Sequence, residues 1–184
     1  MKKAFLPLAI LVASFVSCKK DDVVETNNSE LITTLRMTFT PVGGGAPQVF
    51  EYRDFDGPGG QSPEIDIISL QENSTYNFSA EMFNEAISPV GDITSEIEAE
   101  GTSHRVYYLT TLTTPIQISN LDTDANGVTL GLNGTVTTAG TAPGSLRVLL
   151  RHYPGNPPGK EESDPSSSSK SSSDLDVTFD TVLF

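Results

Sequence analysis

The sequence predicts an all-β protein, an Ig-like antiparallel β-sandwich of about nine strands with one short crossover helix. Apolar residues alternate with polar ones over several short segments, which is the period of a half-buried strand. Clusters of Gly, Pro, Asn and Asp separate these segments, as turns do. Residues 31–184 supply enough chain for one domain with a substantial core.

Four strands show the alternation most clearly. Each places a row of mostly apolar side chains on one face, and the rows are Leu31, Thr33, Leu35, Met37 and Phe39; Tyr76, Phe78, Ala80 and Met82; Leu146, Val148 and Leu150; and Leu175, Val177, Phe179 and Leu183. Weaker patterns predict strands at 49–53, 65–70, 105–112, 116–121 and 128–136. These strands are short for a lipocalin-like barrel, which is the main alternative at this length.

A helical spacing interrupts the strands between residues 92 and 100. Ile93 and Ile97 lie four positions apart, and Ser95 and Glu98 resemble a capping box. Gly101 stands where a helix would end. We therefore expect a short helix that crosses from one strand to another.

A loop of low complexity is predicted at 154–173. It opens with Pro154-Gly-Asn-Pro-Pro-Gly159 and continues into a run of serines that contains Lys170. Such a composition offers too little apolar area to offset the entropy of ordering. We expect a disordered loop, and we interpret it as a tolerated insertion rather than a functional lid.

Residues 1–17 have the order of a lipoprotein signal peptide. Lys2 and Lys3 precede an apolar run that is shorter than the roughly 20 residues of a membrane-spanning helix. The end of the run, Phe15-Val-Ser-Cys18, resembles a bacterial lipobox, with Phe15 in place of the usual leucine. Acylated Cys18 would hold the protein in the lipid bilayer, because two or more acyl chains anchor stably. The polar residues 18–30 then form a flexible lipidated tether.

The composition excludes several classes of function. The chain has 24 acidic and 11 basic residues and a net charge of -13. Such a surface repels polyanions, so no nucleic acid partner is expected. Cys18 is the sole cysteine, and its acylation leaves no thiol for a disulfide, a zinc–thiolate site or a nucleophile.

Several segments resemble a group of small uncharacterised surface lipoproteins of Bacteroidetes-type bacteria. They are Cys18-Lys-Lys-Asp-Asp22, Leu31-Ile-Thr-Thr-Leu35, Arg53-Asp-Phe-Asp-Gly57, Asn84-Glu85, the Glu-rich segment that ends in His104, Leu149-Leu-Arg-His152 and Asp176-Val-Thr-Phe179. The resemblance implies a lipid anchor in the outer membrane, exposure at the cell surface and a TonB-dependent receptor as partner. Members are sometimes labelled with a type 1 periplasmic binding fold, which needs two α/β lobes, whereas the periodicity here is that of strands.

A divalent cation is the cofactor that the candidate ligands suggest. Glu96 and Glu100 lie four apart on the predicted helix, and His104 follows. These groups, joined by His152 if the fold brings its strand alongside, would offer carboxylate and imidazole ligands to Zn²⁺ or Cu²⁺. The structural alternative is a solvated His104 at the start of a strand and a satisfied His152 at the rim of the core.

Two acidic loops resemble calcium sites. Asp122, Asp124 and Asn126, followed by Gly127, match the opening of a calcium-binding loop, but Asn133 stands where such a loop needs a bidentate Glu. Asn126-Gly127 also predicts a hairpin with a type I′ turn, which we favour. Asp54 and Asp56 form a second cluster, for which a plain acidic turn is the alternative.

Catalytic motifs do not stand out in the sequence. It has no nucleophile elbow, phosphate loop or dinucleotide fingerprint. We therefore expect a non-catalytic, ligand- or partner-binding accessory of a TonB-dependent uptake system. A metal-binding carrier or sensor is the second hypothesis, and a surface hydrolase is the third.

Overall fold

The computed structural model describes residues 31–57, 59–111 and 114–184. The predicted signal peptide at 1–17 and the tether at 18–30, with Cys18, lie outside these residues. No helix within the described ranges is long and apolar enough to cross a membrane.

The described chain folds into eleven strands and one α-helix, joined in places by turns. The strands are β1 (Thr34–Pro41), β2 (Gln48–Arg53), β3 (Glu64–Ile65), β4 (Ile68–Leu70), β5 (Thr75–Asn84), β6 (Gly91–Asp92), β7 (His104–Thr110), β8 (Ile116–Ser119), β9 (Asn133–Thr138), β10 (Gly144–His152) and β11 (Ser172–Leu183). The helix α1 spans Ile93–Ala99, and a 3-10 turn at Gly101–Ser103 follows it.

The strands form two sheets, which confirms the all-β sandwich. The first sheet has the order β3-β2-β1-β5-β9-β8, with β6 paired to β5, and the second has the order β4-β11-β10-β7. The four predicted apolar rows face each other between the sheets, and Leu35, Phe39, Val148 and Phe179 are fully buried. All pairs are antiparallel except β4 with β11, which is parallel.

The strand predicted at 65–70 is two strands in different sheets. Ile65 pairs with Tyr52 of β2 in the first sheet, whereas Ile68 pairs with Thr181 of β11 in the second. Ile65 is 43% exposed and Ile68 is fully buried. The chain thus crosses between the sheets at 66–67, and this split raises the strand count above the predicted nine.

The crossover helix is confirmed, with a different cap. Asp92 is the N-cap residue, and its carboxylate accepts the backbone N–H of Ser95 at 3.1 Å. Ser95, predicted as the cap, instead donates its hydroxyl to Asp92 at 2.6 Å. Ile93 and Ile97 are buried, so α1 seals the core where the chain passes from β6 in the first sheet to β7 in the second.

The segment between β10 and β11, residues 153–171, is called the strap below. The sequence predicts disorder for 154–173, but the structure shows the strap packed over the outward face of the second sheet. Tyr107 donates its hydroxyl to the Asp164 carbonyl at 2.9 Å, and Arg151 donates to the Ser168 carbonyl at 3.0 Å. Lys160 is also buried. These polar anchors hold the strap together with the fully buried ring of Tyr153 at its start, and composition alone does not reveal them.

Candidate metal centre

His104 and His152 lie side by side at one end of the second sheet. They are directly paired in the register of β7 and β10, next to the paired core residues Val106 and Leu150. Alternation places the histidines and these core residues on the same face of the sheet. The two imidazole rings have centroids 4.8 Å apart and are tilted by 31°. The strand register therefore brings together two histidines that are far apart in sequence.

Asp174 joins the histidines because of a bulge in β11. Leu150 pairs with Leu175 and Arg151 pairs with Ser173, so Asp174 is the extra residue of the bulge. Bulges commonly turn a side chain away from regular alternation. The Asp174 carboxylate lies 4.0 Å from Nε2 of His104, which completes a cluster of three metal-ligating side chains.

The three side chains are arranged as candidate ligands. One ligand atom from each of them lies within 4.8 Å of the other two. Tetrahedral Zn²⁺ with bonds of about 2.0–2.2 Å would hold such atoms roughly 3.4 Å apart, so atoms at the 4.8 Å limit would have to approach one another by about 1.4 Å. Two imidazoles and one carboxylate suit Zn²⁺ and Cu²⁺ better than Ca²⁺, which prefers oxygen ligands.

His104 is held in the orientation that a metal ligand needs. Its Nδ1 lies 3.2 Å from the carbonyl oxygen of Glu100, and a carbonyl can only accept, so Nδ1 carries the proton. Nε2 is then the ring nitrogen that faces Asp174, and it lies 4.0 Å from the Asp174 carboxylate. His104 is only 5% exposed, so the alternative of a solvated His104 at the start of a strand is wrong.

The two predicted glutamate ligands are not part of this cluster. Glu96 and Glu100 are exposed, and within the described residues the metal-ligating group consists of His104, His152 and Asp174. Glu100 contributes its backbone carbonyl instead of its carboxylate. The place of Asp174 in this cluster cannot be predicted from the sequence, because Asp174 precedes the alternating row of β11 and a bulge leaves no signal in the residue types.

The loop at 122–127 forms a hairpin, as one of the two sequence interpretations predicts. Thr123 and Thr129 form an antiparallel bridge, and Gly127 has a φ of 77°. Gly127 N–H donates to the Asp124 carbonyl, so the turn centres on residues 125 and 126 and the predicted type I′ turn at Asn126-Gly127 is wrong. The strand predicted at 128–136 accordingly starts only at Asn133.

The ammonium group of Lys160 binds Asp124, one of the predicted calcium ligands. Its Nζ lies 2.6 Å from Oδ2 of Asp124 and donates to the carbonyl oxygens of Gly101 at 2.7 Å and His104 at 2.8 Å. The side chains of Lys160 and Asp124 are only 2% and 1% exposed. Oδ1 of Asp124 accepts two backbone N–H groups, from Asn126 and Val128.

Asp122 is likewise satisfied within the protein. Its Oδ1 accepts the N–H of Gly131 at 2.8 Å, and its Oδ2 accepts the side-chain amide of Asn133 at 2.9 Å. Asn133 is the residue that stands where a calcium loop needs Glu. The two predicted aspartate ligands of this loop therefore have other partners, which include a buried lysine.

The second acidic cluster lines a cavity of about 250 Å³ between Arg53 and Glu64. Asp54 is 9% exposed and accepts the hydroxyl of Tyr52 at 3.2 Å; burial and the Asp54 charge raise the pKa of Tyr52 to about 12. Asp56 is exposed and accepts the N–H of Gln61. These carboxylates do not converge into a metal-ligating group in the part of the chain that the structure describes.

Comparison with known proteins identifies no relative for this chain. No protein-family model matches it, and no curated protein or solved structure shows significant similarity.

Proposed function

We propose that the protein is a lipid-anchored, non-catalytic surface lipoprotein whose β-sandwich binds a divalent transition-metal ion. The observation that supports this function is the convergence of His104, His152 and Asp174 at one end of the second sheet. The acidic surface adds a favourable field for cations, since the chain has a net charge of -13. The metal-binding hypothesis, second on sequence alone, thereby becomes the first.

The location is proposed on the sequence. The apolar run that ends at Cys18 and the polar residues 18–30 support an outer-membrane lipid anchor with the domain displayed at the cell surface. Partnership with a TonB-dependent receptor stays a prediction from the resemblance. Co-purification from solubilised outer membranes tests it, because a receptor should be recovered together with the protein.

Metal binding is expected to stabilise the fold. The full-length chain carrying Cys18→Ser, which removes the competing thiol, should gain about 2.7 kcal/mol when Zn²⁺ is present at a hundred times its Kd. For a chain of this size such a gain raises Tm by about 5–10 °C. Thermal unfolding with Zn²⁺, Cu²⁺ and Ca²⁺ measures the effect, and Ca²⁺ should give the smallest shift because two of the three ligands are nitrogen donors.

Matched variants distinguish metal binding at this site from unspecific binding of cations to surface carboxylates. His152→Ala and Asp174→Asn remove partly exposed ligands and should abolish most of the shift. Glu96→Gln and Glu100→Gln remove carboxylates that the structure keeps out of the cluster, and they should leave the shift intact. An equal shift in all four variants, or no shift with any ion, contradicts the proposed function.

A further inference from the structure

The strap begins and ends at the candidate metal centre. His152 is the last residue of β10 and directly precedes the strap, while Ser172 begins β11 two residues before Asp174. Two of the three ligands thus stand at the two ends of one connection. An ion bound to both would close the base of the strap.

The third ligand is attached to the middle of the strap. Lys160 donates to the carbonyl oxygens of His104 and Gly101, and the N–H of Tyr153 donates to the carbonyl of Ser103 at 2.7 Å. The strap therefore holds the backbone that carries His104. Each ligand is either next to the strap in the chain or hydrogen-bonded to it through the main chain.

A guanidinium group fixes the returning end of the strap. Arg151 donates from Nε to Oγ of Ser171 at 3.0 Å and from Nη2 to the carbonyls of Ser168 and Ser171. Arg151 lies between the bulge at Asp174 and His152 in the register of β10 and β11. Detachment of this end would remove a constraint on the separation of His152 and Asp174.

From these contacts we infer that closure of the strap and metal binding at His104, His152 and Asp174 are coupled, so that each favours the other. The inference rests on the proposed function. An open strap gives up the Lys160 contact to His104 and lets the ends of β10 and β11 separate, which disperses the ligands. Because coupling between two equilibria is reciprocal, the ion must then oppose opening by the factor by which opening weakens its binding. The strap would report at the protein surface whether the ion is bound.

Amide hydrogen exchange of the full-length Cys18→Ser chain tests the coupling. Two amides bond between the strap and the rest of the domain, the N–H of Tyr153 to the Ser103 carbonyl and the N–H of Thr129 to the Glu162 carboxylate, so the exchange of these strap amides follows its opening. If opening destroys the site, Zn²⁺ at a hundred times its Kd should slow these amides by up to about a hundredfold. The amide of Gly44, in the turn between β1 and β2, serves as an internal reference and should not change.

Calorimetry on the same samples distinguishes the two failures. Zn²⁺ that binds at one ion per chain while strap exchange stays constant overturns the coupling and leaves the proposed function standing. Absence of binding overturns both. Slowing of the strap amides upon binding, with Gly44 unchanged, supports the coupling.

Two lysine variants test the reverse direction. Lys160→Met removes the contact to the His104 carbonyl and should weaken Zn²⁺ binding by the factor by which it lowers the fraction of chains with a closed strap in the absence of metal. Lys170→Met removes an exposed lysine that pairs only with Glu161 and Asp164 of the strap, and it should leave the affinity unchanged. Equal affinity in both variants, when exchange shows that the strap of Lys160→Met is largely open, contradicts the coupling, and the wild-type exchange measurement stands even if Lys160→Met does not fold.

Discussion

Asp124→Asn is expected to lower the free energy of unfolding by about 3–5 kcal/mol, because it leaves the Lys160 ammonium group buried without a counter-charge. Both side chains are almost completely buried, and their charged atoms lie 2.6 Å apart. The three carbonyl oxygens that surround the ammonium group, from Gly101, His104 and Thr129, solvate it but do not neutralise it. Urea unfolding followed by far-UV circular dichroism measures the loss, since the chain has no tryptophan.

Two further variants show whether this loss belongs to the ion pair. In a double-mutant cycle, Asp124→Asn combined with Lys160→Met should be more stable than the sum of the single losses predicts, because no charge is then left unpaired. Asp176→Asn breaks an exposed pair with Arg147 and should cost only about 0–1 kcal/mol. Equal losses for Asp124→Asn and Asp176→Asn would contradict the assignment of a buried charge pair.

The same pair predicts the direction of a pH effect. Burial alone would raise the pKa of Asp124, but Lys160 and the N–H groups of Val128 and Asn126 outweigh burial and hold this pKa below 3.8. A carboxyl with a lowered folded-state pKa contributes stability above its unfolded pKa and loses it as the pH falls through the folded value. The stability difference between wild type and Asp124→Asn should therefore shrink below about pH 4, and urea unfolding between pH 7 and pH 2 measures it. A difference that grows on acidification would contradict it.

Phe39→Ala is expected to cost about 3–5 kcal/mol, the range for truncation of a buried aromatic side chain. Phe39 is fully buried in the middle of β1. Its ring centroid lies 6.0 Å from that of Phe50, 6.4 Å from that of Tyr76 and 6.2 Å from that of Phe78. Removal of the ring leaves a cavity among aromatic side chains of β1, β2 and β5, which cannot all move inwards to fill it.

Phe184→Ala provides the matched control at the edge of the domain. Phe184 is 65% exposed, and its backbone groups bond to Leu70 and Glu72 whatever the side chain. The substitution should change the free energy of unfolding by less than about 0.5 kcal/mol. A loss comparable to that of Phe39→Ala would mean that the core does not lie between the two sheets as described.

The core of the fold could be predicted because alternation is a local signal. Leu35, Met37 and Phe39 occupy every second position, and burial of one face of a strand requires this period. The helix was visible for the same reason, since Ile93 and Ile97 lie one turn apart. The crossing of the chain from one sheet to the other at 66–67 could not be predicted, because it depends on strands β2 and β11, which pair with β3 and β4.

The same distinction between local signals and long-range pairing applies to the candidate site. His104 and His152 could be proposed as ligands from their chemistry, but only the register of β7 and β10 shows that they meet. Asp174 depends on a bulge, and the Lys160 anchor depends on carbonyl groups more than 30 residues away in sequence, as at Thr129. The low-complexity composition predicts disorder for 154–173 because the segment has few apolar groups to bury. Composition does not show the specific hydrogen bonds, such as those of Lys160 and Arg151, that hold the strap in place.

Pulsed electron paramagnetic resonance of the Cu²⁺-loaded full-length Cys18→Ser chain tests the proposed metal centre most directly. The chain contains two histidines, His104 and His152, so imidazole nitrogens coupled to the ion can come only from them. The proposal predicts coupling to two imidazoles in the wild type and in Glu96→Gln, and to one in His152→Ala. A spectrum without imidazole coupling, or one that His152→Ala leaves unchanged, would contradict it.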